Sequence, residues 1–376
     1  MITQETLYTL ALTRIPRLSL RNAKELVLTF GSASLIAEHR HHLTELKPDT
    51  SNVLMQTLNK GWDEALFRAE KEIDFAENHN IRCLCSSDPL YPTRLQDCSD
   101  APLVLFYRGT ANLNAQHVVS IVGTRHITEC GKDLCHALTT DLAHRCPHVI
   151  VVSGLAYGID IHAHRSALKA GIDTVGVLAH GLDRLYPSAH RDTAQQMIQQ
   201  GGLLTEFMSG TIPDKGNFVR RNRIVAGISD ACIVVESAAK GGALITAGIA
   251  QDYNREVFAC PGRITDPYSE GCNNLIRNNA AQLITCAADI TTALGWLSPE
   301  DQAALKQKTA QQELFPVLSP DEQSLVTLLQ GTDGKQINQL VVEANLPVQR
   351  VTALLFEMEL RGITKAMNGG RYRLLI

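Results

Sequence analysis

Two hydrophobic rhythms divide the chain. Up to about residue 80 the apolar positions recur at helical spacing among many charges, as in WDEALFRAEKEIDFAENHN, with no strand alternation. IPRLSLRNAKELVLTFGS reads as two short helices around a turn. From residue 81 the rhythm changes to short apolar runs: HVVSIV (117–122), HVIVVS (148–153), TVGVLA (174–179), GLLTEF (202–207), ACIVVE (231–236) and EVFACP (256–261). Helical stretches such as GKDLCHALTTDLAHR and DIHAHRSALKAG separate them. Near-continuous apolar strands alternating with helices predict a parallel sheet covered on both faces. The expectation is an α/β, doubly wound, Rossmann-like domain over residues 81–296. The polar stretch SPEDQAALKQKTAQQE reads as a linker, 297–318. In the last segment, 319–376, Val351, Leu354, Leu355 and Met358 form an i, i+3, i+4, i+7 stripe, and ITKAMNGGRYRLL predicts a hairpin turning at Gly369-Gly370. Helices followed by a hairpin predict a winged helix.

Composition narrows the class. The 376 residues are 44% hydrophobic and 20% charged, with net charge −4. No apolar run reaches membrane-spanning length. MITQETLYTL lacks the basic and apolar regions of a secretory signal, so a cytoplasmic location is expected. The ten cysteines contain no C-x-x-C pair and read as reduced thiols, with Cys232 and Cys260 in the core. Cys83 and Cys85 are expected on opposite faces of a strand. Asp160, His162 and His164 form the one metal-like cluster, but i and i+2 on a helix do not share a face. They are assigned to capping and packing, and no metal or cofactor is expected.

Candidate chemistry sits in the turns. Ligands of open parallel sheets gather at the carboxyl ends of the strands. Those exits carry Gly123-Thr124-Arg125, Ser153-Gly154 leading to Gly158-Ile159-Asp160, Lys240-Gly241-Gly242, and Pro261-Gly262. Glycines let backbone N–H groups approach a ligand, and helix N-termini favour anions, so such an edge suits phosphates. NAD is not expected, because G-x-G-x-x-G is absent and the second strand ends in Ser153-Gly154 without a ribose-binding acid. A P-loop fails too, since seven residues separate Gly123 from Gly131 and Asp133 stands where Ser or Thr would bind Mg²⁺. Lys215, Arg220, Arg221 and Arg223 put four positive charges into nine residues around Phe218, with no acid among them. Cations beside a ring are the ingredients of single-strand binding. A solvated amphipathic helix with Phe218 in the core has the same composition, and the residues alone leave both readings open.

The strings SIVGTRHITECG, VVSGLAYGIDIHAHRSAL, VLAHGLDRLYP, GGLLTEF, PDKGNFVRRNRIVAGISD, VVESAAKGGALITAGIAQDYNREVFACPG and SEGCNNLI, in that order over about residues 80–285, resemble the DNA-processing protein A family (DprA, also called Smf). The resemblance implies an extended Rossmann-like domain flanked by an N-terminal SAM-like helical domain (1–80) and a C-terminal winged helix. It implies single-stranded DNA as ligand, RecA recombinase as the partner loaded onto it, a role in natural transformation, and a homodimer. No catalytic residue is implied. Carried over by position, the DNA-contacting residues are Arg125, Ser153, Gly154, Lys215, Phe218, Arg220, Arg221, Arg223, Gly241 and Gly242, with Asn222 and Asp160 bracing the loops. The chain departs from the family in Thr124, which replaces a serine, and in Gly241-Gly242-Ala243, where two hydroxyls are lost. Arg17-Leu18-Ser19 replaces the glycines of a DNA-binding hairpin, so the N-terminal segment is not expected to contact DNA. The winged helix carries six basic and six acidic residues from Pro320 onward, with Glu357 and Glu359 on the helix that would enter a groove. It is expected to serve protein contacts, or at most weak DNA binding.

Two rivals remain. Nucleotide hydrolases of the lysine-decarboxylase-like family share the fold and a Gly-Gly turn, but Ile249 stands where their catalytic Glu would be. The other rival is a scaffold whose pocket is vestigial.

Overall fold

The computed structural model of the chain describes residues 3–46, 50–296 and 318–375. It forms two units, Met1–Leu297 and Ser298–Ile376. The linker expected at 297–318 lies, but for Leu318, outside the described residues.

The first unit opens with helices α1 (Gln4–Leu12), α2 (Leu20–Phe30), α3 (Ala33–His39), α4 (Leu43–Leu46) and α5 (Asn52–Asn78). Thr3, Ser19, Ser32 and Ser51 cap α1, α2, α3 and α5, each side chain accepting from a first-turn N–H. These helices share a unit with the sheet that follows. Their buried face, including Leu58, Trp62 and Ala69, packs against Cys83, Cys85, Val104 and Phe106 of the first two strands. Cys83 and Cys85 therefore lie on one face, as i and i+2 of a strand must, and not on opposite faces. A polar clasp adds to this contact. Buried Glu72 accepts from Ser209 N (2.8 Å) and Ser209 Oγ (2.6 Å), while Arg68 donates to Ser209 O (2.6 Å).

Nine strands follow: β1 (Arg82–Cys85), β2 (Val104–Gly109), β3 (Val118–Val122), β4 (Ile150–Ser153), β5 (Thr174–Val177), β6 (Gly201–Thr205), β7 (Ala231–Val234), β8 (Glu256–Ala259) and β9 (Gln282–Leu283). Their order is β1-β2-β6-β5-β4-β3-β7-β8-β9. β2 is antiparallel to β1 and β6, and the other pairings are parallel. The helices between them are α6 (Thr93–Gln96), α7 (Glu129–Arg145), α8 (Ile159–Lys169), α9 (Arg191–Gln199), α10 (Lys215–Gly227), α11 (Gly242–Asp252), α12 (Glu270–Arg277) and α13 (Ala287–Ala293).

The pleat distributes the core. Val118, Val122, Val152 and Val234 face α10 and α11, whereas Val119, Ile121, Val151 and Ile233 face α7, α8 and α13. Chain order reverses at β3, which has β4 on one side and β7 on the other. Beyond the carboxyl ends of such a switch point the sheet leaves a crevice.

The second unit holds α14 (Pro320–Leu329), α15 (Ile337–Ala344) and α16 (Val348–Leu360) with a sheet of β10 (Lys335–Gln336), β12 (Arg371–Leu374) and β11 (Thr364–Met367), in that order. Ser319 and Glu322 form a reciprocal capping box at the start of α14. Val351, Leu354, Leu355 and Met358 are all buried, as their spacing predicts. Gly369 (φ 83°) and Gly370 (φ 68°) make the hairpin turn in the left-handed region. No helix among the described residues is long and apolar enough to cross a membrane.

Candidate nucleic-acid interface

The exits of β3, β4 and β7 open into a cleft of about 720 Å³. Its walls are loops tied to one another by backbone bonds. Thr124 N donates to Glu236 O (2.7 Å), joining the turn after β3 to the turn after β7. Ile159 N donates to Thr124 O (3.1 Å), joining the first turn to the start of α8. Gly158, at φ 80°, approaches so closely that a Cβ there would overlap Thr124 O and the Arg125 backbone. The buried Glu236 carboxylate accepts from Thr128 N (3.1 Å) and Thr128 Oγ1 (2.5 Å) at the N-terminus of α7. Arg125 thus projects, exposed, from a turn braced on both sides.

Helix α10 supplies the facing wall. Asp214 caps it, accepting from Asn217 N at 3.0 Å, so the helix already begins at Lys215. Phe218, Arg221, Asn222 and Val225 line the cleft at i, i+3, i+4 and i+7. Arg220 and Arg223 do not. They follow Phe218 by two and five residues, about 200° and 140° around the helix. Both donate to Glu206 Oε2 at 2.6 Å, and Arg223 also donates to Asp100 O. The basic run is therefore split between two sides of one helix, which corrects its placement in a single pocket. Ser153 is likewise no part of the cleft surface. It is buried, and its Oγ donates to Ile121 O (2.6 Å), tying β4 to β3.

Arg221 lies in the cleft floor, 4% exposed. Its Nη1 donates to Gly154 O (2.5 Å) and to Val177 O, and its Nε donates to Asn222 Oδ1 (3.3 Å). Burial lowers its pKa to about 10, opposed by the charge of Asp160. Asp160 accepts from Gly154 N (3.1 Å) and Ala156 N (3.4 Å). Burial raises the Asp160 pKa, and Arg221 and these N–H groups oppose the rise. The pair shapes the floor, and the exposed charges at the rim are the cations Arg125, Lys215 and Lys240.

Aromatic rings stand at two places in the cleft. The Arg125 guanidinium lies 5.5 Å from the centre of the Phe218 ring, and Tyr186 lies 5.9 Å from it at 53°. His126 and Tyr268, also in the lining, stack with centroids 6.1 Å apart. Phe218 is only half-buried. Gly241 and Gly242 begin α11 with no side-chain cap, leaving its first-turn N–H groups to the cleft. Arg125, Gly154, Lys215, Phe218, Arg221, Gly241 and Gly242 are thus brought together. Lys240, named only with its turn, joins them, as do Tyr186, His126 and Tyr268, which had not been singled out. Lys240 and His126 adjoin turn residues already chosen, and the two tyrosines sit beside Pro187 and Pro267 in turn-like strings, YPSAH and DPYSE. Pro261-Gly262 does not line the cleft, although Tyr268 of the same loop does.

The metal-like cluster disperses. Asp160 serves the backbone as above, and His162 Nδ1 pairs with Gly158 O (2.9 Å). His164 is buried against Thr174 Oγ1 (2.7 Å), where burial pushes its pKa down to about 3. Among the described residues no three His, Cys, Asp or Glu side chains are placed to hold a metal ion. Ile249 packs against the core, so the hydrolase carboxylate has no equivalent there.

The glycines differ in what they tolerate. A Cβ on Gly154 would collide with the Arg221 guanidinium, whereas one on Gly242 meets nothing within 4 Å. Gly154→Ala is expected to cost about 1–3 kcal/mol. Gly242→Ala is expected to stay within about 0.5 kcal/mol of wild type. Thermal denaturation of the two variants checks this difference.

Comparison with known proteins agrees with this geometry. The family model described as DNA recombination-mediator protein A matches residues 82–295, and the DprA winged helix domain matches 307–370. Protein Smf of Synechocystis is 32% identical over 336 residues, covering 80% of this chain and 82% of that one. A putative DNA processing protein DprA of Mycobacterium tuberculosis is 37% identical over 290 residues, covering 75% and 71%. The crystal structure of DprA from Streptococcus pneumoniae superposes with TM-score 0.63 at 28% identity, covering 77% of this chain and 98% of that one. A structure of DprA from Helicobacter pylori, described for its single-stranded DNA binding mode, superposes with TM-score 0.51 at 30% identity, covering 57% and 95%. A braced cationic cleft at the switch point of the sheet, matches over most of the chain and a winged helix at its end all agree, and the chain belongs to the DNA recombination-mediator protein A (DprA/Smf) family.

Proposed function

We propose that this DNA-processing protein binds single-stranded DNA in the cleft, protects it during natural transformation and loads RecA recombinase onto it. One observation carries the DNA reading. Arg125, Lys215 and Lys240, the half-buried Phe218 ring and the uncapped start of α11 converge on one cleft whose lining carboxylate, Asp160, is buried beside Arg221. Cations and backbone N–H groups take phosphates, and the ring takes a base. Sequence-independent binding needs no more than these contacts. The likeness to the Helicobacter pylori structure supports the choice of a single strand.

The protein acts by holding DNA, without a catalytic residue, and works as a homodimer. In the winged helix, the exposed Val348, Phe356 and Leu360 on α16 favour protein contacts over a DNA groove.

Arg125→Ala tests the DNA reading. A guanidinium that forks onto a phosphate releases counterions, so its loss should weaken binding and flatten the plot of log K against log salt by about 0.7. Fluorescence anisotropy across a salt series measures both, and unchanged affinity with unchanged slope would remove Arg125 from the interface. RecA-driven strand exchange on DNA coated with this protein tests the loading step. Light scattering at micromolar concentration tests the dimer.

A further inference from the structure

A second cavity, of about 270 Å³, lies on the opposite side of α10 from the cleft. It is walled by the α1–α2 segment, the end of β6 and Arg220 of α10. Three features of this cavity are not explained by packing.

The Arg14 side chain, in its lining, has no hydrogen-bond or ion-pair partner among the described residues; burial lowers its pKa, as do the charges of Arg68 and Arg220, and Glu72 opposes them. Glu206, also lining it, has a side chain only 3% exposed, and both of its arginine contacts go to Oε2. Its Oε1 is buried with no partner. Arg220 itself remains half exposed and lies over the Phe207 ring, 5.4 Å from its centre.

The charge balance follows from these contacts. Arg14 and Arg220 line the cavity with one carboxylate, Glu206, so its lining is net positive and able to hold an anion. The same cavity holds a buried acceptor that lacks a donor. A ligand that satisfies both carries a phosphate and an N–H group, and a nucleotide has both. The position fits the same ligand. Phe218 of the cleft and Arg220 of this cavity are two residues apart on one helix, so a strand crossing the N-terminal half of α10 passes from one site to the other.

We propose that this cavity is a second nucleotide subsite of the DNA track. Arg14 and Arg220 hold a phosphate, and Glu206 Oε1 accepts an N–H of the base. The assignment rests on the cleft being the primary site for single-stranded DNA, and it gives the N-terminal helices a direct contact with DNA that their sequence does not predict.

The test compares wild type with Arg14→Ala on oligothymidylates of increasing length, whose bases each offer one N–H. Short oligomers occupy the cleft alone, and both proteins should bind them equally. Longer oligomers should gain affinity with wild type as the strand reaches the cavity. Arg14→Ala should lose about tenfold of that gain, with an unchanged melting temperature. Arg14→Gln keeps the aliphatic stem and should behave alike, which separates lost charge from lost packing. An equal gain with length in wild type and both variants, or no gain in wild type, would overturn the subsite and leave the cleft intact. Failure of wild type to bind any oligomer would instead sink the DNA reading itself.

Discussion

Replacing Arg221 by Met is expected to remove about 3–5 kcal/mol of folding stability, the largest effect of any single change in the cleft. The side chain is buried beneath the cleft, and its guanidinium holds Gly154 O and Val177 O. Methionine fills much of the volume but donates to neither carbonyl, and it leaves Asp160 buried without its counter-charge. The loss should depend on pH. In wild type the folded pKa of Asp160 is already raised, so the stability associated with this group is full below the unfolded carboxylate value and is lost as pH rises through the folded pKa. Without Arg221 that pKa rises further. The gap between variant and wild type should therefore be smallest near about pH 4 and widen toward neutrality. Urea denaturation followed by circular dichroism at several pH values measures the gap. A pH-independent gap would mean that the lost hydrogen bonds, and not the exposed cost of Asp160, dominate.

Phe218→Ala should have the opposite profile, with DNA affinity lost and stability kept. Loss of a stacking ring costs about 1–3 kcal/mol of binding, or about 5- to 150-fold in Kd. A core phenylalanine would instead cost about 3–5 kcal/mol of stability. Phe218 is half-buried, and its neighbours are the Arg125 guanidinium and the Tyr186 ring at the cleft wall. Those contacts are the ones a stacked base would extend. Phe218→Trp should retain most of the affinity because any π-face suffices. The salt slope should be unchanged in Phe218→Ala and reduced in Lys215→Ala, since only the latter removes a charge. Early melting of Phe218→Ala with normal binding by the folded fraction would make the ring structural and confine the interface to Arg125, Lys215 and Lys240.

The two hairpin glycines, the basic run and the buried stripe of the last domain show how far a linear reading reaches. Near-continuous apolar runs identified the six central strands β3 to β8, because a strand covered on both faces selects mostly apolar side chains. Left-handed backbone required glycine at 369 and 370, and the winged-helix hairpin followed. The Cys83–Cys85 run was read as strand, but its pairing with β2, and β2 and β9 themselves, were not recognised, because antiparallel pairing is a long-range choice and RCLC and VLFYRG carry no mark of it. Seven of the ten candidate contact residues meet in the cleft because they sit at strand exits or on one face of α10. Arg220, Arg223 and Ser153 do not, and the reason is geometric. Charge density along the chain is blind to the turn of a helix, which sends Arg220 and Arg223 to Glu206 and leaves Arg221 beneath the floor. A hydroxyl at a strand end can face the ligand or the neighbouring strand, and Ser153 bonds to Ile121. Periodicity and turn residues thus mark which segments carry the chemistry. Which side chains share a cavity is legible only in the fold, because it depends on rotation about α10, on the strand order that sets β3 between β4 and β7, and on the packing of the N-terminal helices against the sheet.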